Sequence, residues 1–156
     1  MKIKIEPNFT TADLEKITQD YLRRVIKVTQ NELESIGQQF VRDARLKTTD
    51  QGGFSDDTGN LRSSIFFILQ YDGELMHEDF EPSVNGTDKA AGIAAAQEYA
   101  NELSGDSRQG WALITGAGME YAGWVEALGY DVITGSTLGA KAKLEKAFQN
   151  VINAFS

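Results

Sequence analysis

Two segments of the chain bring ligand-type or acid–base side chains close together. The first, Asp57-Thr58-Gly59, matches the triplet of aspartic proteases, in which two carboxylates share one proton within a β-rich fold. Here a long predicted helix precedes the triplet, and the flanking apolar β pattern is missing. A turn that leads into the next strand is therefore the better interpretation.

The second segment, His77-Glu78-x-x-Glu81, offers one nitrogen ligand and two carboxylates. His77 is the only histidine and the chain has no cysteine, whereas catalytic zinc sites commonly need two or three nitrogen or sulfur ligands. A magnesium site built from carboxylates alone is an alternative, but these carboxylates lie in a polar stretch with no obvious substrate groove. We interpret the segment as a solvated acidic loop.

Other catalytic motifs are incomplete or missing. Gly116-x-Gly118 continues into Tyr121 where a dinucleotide fingerprint needs its third glycine. The sequence contains no phosphate-loop lysine motif and no GxSxG, and it supplies few candidates for a general base or a thiol nucleophile. We therefore expect no catalytic residue, no cofactor and no metal, in a protein that is not an enzyme.

Composition and length favour one globular domain over residues 1–156. The chain has 41% hydrophobic residues, 24% charged residues and 2 prolines, which is typical of a folded protein of this size. The N-terminal residues lack the apolar core of a secretory signal, and no apolar run is long enough to cross a membrane. With no cysteine to oxidise, we expect a cytoplasmic product without membrane contact.

The longest predicted element is a helix over about residues 11–46. A short strand-like lead, with Ile3 and Ile5 alternating with lysines, ends at Pro7, and Thr10 or Thr11 can cap the helix. Apolar side chains then recur every three or four residues: Leu14, Ile17, Tyr21, Val25, Val28, Leu33, Ile36, Phe40 and Ala44.

A helix of this length spans roughly 50 Å, which is more than one small domain can cover along its whole length. We therefore predict that part of its apolar stripe contacts another subunit. The predicted interface residues on the helix are Tyr21, Val25, Val28, Ile36 and Phe40. The alternative is that the helix breaks near Gly37 and folds back on itself.

The rest of the sequence predicts an α+β fold with a small, mostly antiparallel sheet and two further helices. The sheet and a middle helix should occupy residues 60–134. The predicted order is a polar loop (47–59), a buried strand (64–71), a polar connection to about Thr87, a middle helix (88–103), a second strand (111–115), a third strand or strand-to-helix corner, and a C-terminal helix (137–155) capped by Thr137.

Two segments together resemble motifs of the neck and tail-completion protein family of long-tailed bacteriophages. Residues 58–65, TGNLRSSI, resemble the family's TG-x-L-R-x-S-I element, which precedes its first main strand. Residues 121–133, YAGWVEALGYDVI, resemble its YA-x-(aromatic)-VE-x-x-GY-(D/N)-V run. The matching positions are Thr58, Gly59, Leu61, Arg62, Ser64, Ile65, Tyr121, Ala122, Trp124, Val125, Glu126, Gly129 and Asp131.

The order of the two motifs, their spacing of about 60 residues and the helices on either side extend the resemblance over most of the chain. Gly123 departs from the family pattern, in which a bulkier residue is common, and the acidic connection from Glu74 to Asp88 resembles an insert. These departures leave open which neighbouring ring the protein contacts.

The resemblance implies a virion protein without enzymatic activity, located in the neck between head and tail. It implies a homo-oligomeric ring that joins other virion proteins of the connector and tail, with DNA at most passing through the lumen without specific binding. In such a ring we expect the sheet edge near Trp124 to join the long helix at the subunit interface. The alternative is a monomeric or dimeric phage- or prophage-encoded module that binds another protein through the same apolar stripe.

Two further expectations follow from the motif residues themselves. Thr58-Gly59 should form a turn with a positive φ at the glycine, directing Leu61 and Ile65 into the core. Glu126 stands among apolar residues and needs a partner if it is buried. We predict a pair with Arg62 across two adjacent strands; the alternative is a solvent-facing Glu126 on an edge strand.

Charge is unevenly distributed along the chain. The net charge is −8, and residues 63–131 contribute 12 acidic and 2 basic side chains. So acidic a segment disfavours binding to a phosphate backbone. It fits either electrostatic steering between subunits, the wall of a lumen along which DNA slides, or an ordinary solvated acidic face.

Overall fold

The computed structural model describes residues 8–104 and 109–155, and it has the α+β fold that the sequence predicts. A long N-terminal helix, a three-stranded antiparallel sheet, a middle helix and a C-terminal helix are all present. The predicted strand-like lead at Ile3 and Ile5 lies outside the described residues.

Helix α1 runs without interruption over Thr11–Leu46, so the predicted bounds are confirmed and the alternative of a break at Gly37 is wrong. Thr10 caps the helix: its hydroxyl oxygen accepts a hydrogen bond from the Asp13 backbone N–H (3.2 Å), and the Asp13 carboxylate accepts one from the Thr10 backbone N–H (2.8 Å). This reciprocal pair satisfies two of the free donors at the helix start.

The sheet has the order β2-β1-β3, with strands β1 (Ile65–Tyr71), β2 (Glu74–Asp79) and β3 (Trp111–Ala117) all antiparallel. The central strand β1 is covered on both faces. Ile65 and Phe67 belong to the core cluster on the α1 side, whereas Phe66 and Ile68 pack against helix α3 (Ala90–Ser104). Burial on both faces explains the continuous apolar run of this strand.

Strand β2 corrects the predicted polar connection after residue 71. A two-residue turn of Asp72 (φ 50°) and Gly73 (φ 82°) reverses the chain and starts a hairpin, since two successive positive φ angles match the twist of paired strands. The hairpin was missed because β2 is an edge strand whose side chains, such as Glu74 and Glu78, are exposed and charged.

The elements after β3 resolve the predicted alternatives. The glycine-rich segment forms a strand-to-helix corner through helix α4 (Ala122–Ala127), so a further strand there is wrong. Helix α5 covers Thr134–Ala154 and begins three residues earlier than predicted, which places Thr137 inside it instead of at its cap. A one-turn helix, α2 (Asn60–Ser63), leads into β1.

Helix α5 lies antiparallel to α1 and forms the outer layer on that side of the sheet. In the middle of α5, Lys143 pairs with Asp43 at 3.3 Å, and just after its end the Phe155 ring contacts the Tyr21 ring with centroids 5.4 Å apart. Ala140 and Ala147 join the main core cluster. The layers are therefore α5, α1, the sheet and α3, in that order.

Gly37 and Gly139 provide a matched test of how closely α1 packs on the sheet. Gly37→Ala gains helix propensity of about 1 kcal/mol, but its Cβ would overlap the Phe67 ring, with Cε2 only 2.6 Å away. Overpacking should make the net change a destabilisation of about 1–3 kcal/mol in urea unfolding. Gly139→Ala in α5 meets nothing within 4 Å and should stabilise by up to about 1 kcal/mol; the opposite order would contradict this packing.

Candidate protein-interaction surface and the frame that positions it

The two sequence motifs fold against each other around the C-terminal end of α1. Leu61 and Ile65 of the first motif and Ala122 and Val132 of the second belong to one buried cluster. The pKa of Tyr121, at the start of the second motif, is raised, first by partial burial and then by the Asp56 carboxylate. We call residues 58–65 and 121–133 together the motif frame.

Arg62 is the centre of the motif frame. Its guanidinium donates hydrogen bonds to the backbone carbonyls of Arg45 (2.5 Å), Lys47 (3.2 Å) and Phe54 (2.6 Å), and it lies 4.4 Å from the centroid of the Phe54 ring. The Arg45 carbonyl belongs to the last turn of α1, where carbonyls have no helical partner. Arg62 therefore caps α1 and fastens the following loop to it.

Arg45 in turn donates a hydrogen bond to the backbone carbonyl of Arg62. Its Nε donates to the Arg62 carbonyl at 3.2 Å and its terminal nitrogen to the Ile65 carbonyl at 2.6 Å, while Asp79 of β2 lies 3.5 Å away. Burial lowers the pKa of both guanidiniums; Asp79 and Glu81 oppose this shift at Arg45, and Asp56 opposes it at Arg62. The crossed pair joins helix, loop and strand at one point.

The predicted pair of Arg62 and Glu126 is wrong, and the two residues do not lie on adjacent strands. Glu126 belongs to α4, and its carboxylate accepts hydrogen bonds from the backbone N–H groups of Ile133 (2.9 Å) and Thr134 (3.0 Å) and from the Thr134 hydroxyl (2.9 Å). It thus satisfies free donors at the start of α5, where a negative charge is favourable. The predicted need for a partner was correct, but backbone donors meet it.

Glu126 and Asp131 together hold α5 in place. Partial burial raises the pKa of Glu126, but the hydrogen bonds from residues 132–134 outweigh it and leave the pKa below its ordinary value. Asp131 pairs with Lys47 and accepts from the Gly135 backbone N–H at 3.0 Å; these contacts likewise outweigh burial and lower its pKa. Both carboxylates are therefore ionised supports of the helix start.

The glycine turn of the first motif has the predicted form. Gly59 has φ +81°, and a side chain there would meet the backbone of Asn85 and Gly86. Leu61 and Ile65 are buried as predicted, with 2% and 0% exposure. Asp56 fixes the turn by accepting hydrogen bonds from the backbone N–H groups of Gly59 (3.0 Å) and Arg62 (2.8 Å).

The residues considered above as catalytic or metal-binding candidates lie at a turn and on or just after strand β2. Asp57 is exposed at the turn before α2. His77 lies on β2, stacks on the Phe67 ring with centroids 5.4 Å apart, and has Nδ1 3.8 Å from a Glu34 carboxylate oxygen. In the part of the chain that the structure describes, no group of three or more histidine, aspartate or glutamate residues is arranged to hold a metal ion.

The surface that the motif frame leaves uncovered is the N-terminal half of α1. We call residues 11–28 of α1 and 148–155 of α5 the helical arm. Thr29 is the first buried residue of α1, so the sheet covers only the helix beyond it. The large apolar side chains exposed on the arm are Leu14, Ile17, Tyr21, Leu22, Phe148 and Ile152.

The apolar stripe of the arm continues the face of α1 that α5 covers. Successive helical residues turn by about 100°, so Leu14, Ile17 and Tyr21 point the same way as Gln39 and Asp43, which lie against α5. Tyr21 contacts Phe155 at the end of α5. Leu14 lies seven residues before Tyr21, roughly 10 Å closer to the N-terminal end of α1. The stripe therefore extends past the end of α5.

The predicted interface residues separate into exposed and buried groups. Ile36 (5% exposed) and Phe40 (1%) are part of the core, so placing them at a subunit interface is wrong; the sheet and α5 already cover that part of α1. Val25 and Val28 are half-buried. Trp124 is 65% exposed, but on α4 instead of a sheet edge; Leu128 and Tyr130, which follow it in sequence, are exposed as well.

Comparisons with protein-family models, curated protein sequences and solved structures find no match to this chain. Within residues 8–104 and 109–155, no helix combines the length and apolar content that crossing a membrane requires.

Arg62 should dominate the stability of the motif frame. Arg62→Met leaves three carbonyls without their donor and removes the contact with Phe54, so we expect a loss of about 2–4 kcal/mol in the free energy of unfolding. Arg62→Lys should recover little of it, because one ammonium cannot reach separated carbonyls as a guanidinium fork does. The control Arg23→Met, at an exposed pair with Asp20, should cost less than about 0.5 kcal/mol; equal losses would refute the assignment.

The lowered pKa values of Glu126 and Asp131 predict how the free energy of unfolding declines in acid. Because the folded-state pKa of each carboxyl is lowered, the stability it contributes is complete above its unfolded pKa and is lost as pH falls through the folded pKa. Glu126→Gln with Asp131→Asn should therefore flatten the decline of unfolding free energy below about pH 4. The control Glu145→Gln, an exposed residue of α5, should leave the decline unchanged, and a double variant as steep as wild type would contradict this prediction.

Proposed function

We propose that this chain is a structural subunit of the neck of a long-tailed bacteriophage, a neck or tail-completion protein without enzymatic activity. In this proposal it assembles as a homo-oligomeric ring in the virion and contacts proteins of the connector and tail. The sequence resemblance suggests the family, and the two segments that carry it form one folded unit, the motif frame, instead of lying at unrelated places.

The observation that carries the proposal is the exposed helical arm. A helix of 36 residues is buried only from Thr29 onward, although its apolar side chains continue to Leu14. Exposed apolar residues on a rigid element mark a protein-binding surface when they form a continuous patch. Burial of the arm in a neighbouring subunit accounts for an apolar stripe that this chain's own sheet does not cover.

The charge distribution supports the part of the proposal that concerns DNA. Residues 72–104, which include the β2 edge strand and α3, carry eight acidic residues and one lysine. A ring that turned some of these carboxylates toward its lumen would repel the phosphate backbone and let DNA pass without binding. Nonspecific DNA binding is therefore not part of the proposed function.

Incorporation into phage particles tests this proposal. Ile17→Ser with Leu22→Ser removes two exposed apolar side chains of the arm, so the fold should stay intact while incorporation falls at least about tenfold. Leu138→Ser, an exposed leucine of α5 outside the arm, is the matched control and should be incorporated like wild type. Incorporation is measured by quantifying the chain in purified virions.

Two outcomes would count against the proposal. Absence of the wild-type chain from mature virions would refute a virion role outright. Tight one-to-one binding of the arm to a single non-virion protein, lost with Ile17→Ser and Leu22→Ser, would instead support the alternative of a monomeric or dimeric protein-binding module.

A further inference from the structure

The outer helices α5 and α3 carry opposite net charge. Helices α1 and α5 lie on one face of the sheet and α3 on the other. Helix α5 has three lysines and one glutamate, and residues 11–28 of α1 have four basic and three acidic residues, of which Asp20 pairs with Arg23 at 2.7 Å. Helix α3 has two glutamates, Glu98 and Glu102, and no basic residue.

A groove of about 630 Å³ lies on the acidic side, between α3 and the corner after β3. Glu98, Glu102 and Glu120 line it, and all three are exposed. Tyr99 and Tyr121, each about 40% exposed, add aromatic surface. None of these glutamates forms an ion pair with another residue in the described ranges 8–104 and 109–155.

Small residues form part of the groove wall. Gly118 packs directly against the α3 backbone at Ala95 of the same chain, so closely that no Cβ would fit, whereas Ala91 and Gly123 are exposed where they line the groove. Small residues of this kind let a helix approach a surface more closely than large side chains would. The groove therefore has the shape and charge to hold a basic helix with apolar side chains.

We infer that the exposed half of α1, residues 11–28, of a second copy of this chain occupies this groove. This inference rests on the proposed ring assembly and names the surfaces that form it. Arg24 and Lys27 are exposed on the arm and have no ion pair within the described residues. Arg24 and Lys27 are three positions apart, about 4.5 Å along a helix, while Glu98 and Glu102 are four positions apart, about 6 Å along α3.

The lengths of the two surfaces also agree. Lys16 to Lys27 spans about 16 Å of α1, and Ala91 to Glu102, the part of α3 that lines the groove, spans about the same distance. Ile17 lies on the same side of α1 as Arg24, seven positions later, and is 64% exposed, so it can pack against the tyrosines. Arg24 and Lys27 then meet the glutamates while Ile17 is buried.

This contact is heterologous, because the arm and the groove are different surfaces on opposite faces of the sheet. Repeating a heterologous contact produces a ring when the rotation closes. The acidic residues of the β2 hairpin, such as Glu74 and Glu78, do not line this groove and remain available to face a lumen. The same chain can therefore use one acidic region for assembly and another to repel DNA.

Exchanging the charges tests the pairing. Glu98→Lys with Glu102→Lys, or Arg24→Glu with Lys27→Glu, should weaken self-association of the purified chain at least about tenfold, and all four substitutions together should restore it. Glu74→Lys with Glu78→Lys changes the net charge equally outside the groove and should have little effect. Association is measured by sedimentation at low salt and should weaken from about 0.1 M to about 1 M salt.

Crosslinking tests whether the arm of one copy lies close to the groove of another. The chain has no cysteine, so Lys27→Cys and Glu102→Cys each introduce a single thiol. A mixture of the two variants treated with a short bis-maleimide should give a covalent dimer, whereas Lys27→Cys mixed with Glu74→Cys should not. Equal yields from both mixtures, or a dimer from neither, would overturn the inference, as would failure of the four-substitution variant to regain association.

These results separate this inference from the proposed function. If the arm variants lose incorporation into virions while charge exchange and crosslinking fail, the ring uses a different groove and the virion role stands. If the chain is absent from virions but the crosslink forms, the self-docking stands and the virion role fails.

Discussion

The crossed interaction of Arg62 and Arg45 is the constraint on which the rest of the structure depends. Each guanidinium donates to the other residue's backbone carbonyl, at 2.5 Å and 3.2 Å, and between them they also bond the carbonyls of Lys47, Phe54 and Ile65. The end of α1, the loop after it and the start of β1 therefore form one body. Because α1 is fixed at its C-terminal end, its N-terminal half extends from a rigid base and exposes its apolar side chains.

Much of the fold could be predicted from the sequence because its signals are local. The start of α1 follows from Thr10 and Asp13, which cap it as a pair, and its length follows from the unbroken apolar period. The run from Ile65 to Leu69 predicts a buried strand, since both of its faces are covered. The missed strand, β2, carries acidic side chains because it lies at the sheet edge, and only the Asp72-Gly73 turn signals it.

The site was less predictable because it depends on which residues meet in three dimensions. The need of Glu126 for partners could be inferred, but its partners are backbone N–H groups at the start of α5, which no pattern of side chains reveals. Likewise a continuous stripe from Leu14 to Ala44 does not tell which part is covered. The structure shows that Ile36 and Phe40 are core and that the exposed part begins before Thr29. The groove beside α3 arises from residues about 25 positions apart and left no sequence signal beyond its acidic charge.

Amide hydrogen exchange along α1 tests most directly whether the arm is a surface built for contact. In the isolated chain, residues 29–46, which pack against the sheet and α5, should exchange slowly, and residues 11–22 should exchange much faster because little covers them. In the assembled particle the account predicts strong protection of residues 11–22 and almost no change in residues 29–46. Exchange of residues 11–22 at the same rate in both states would contradict it.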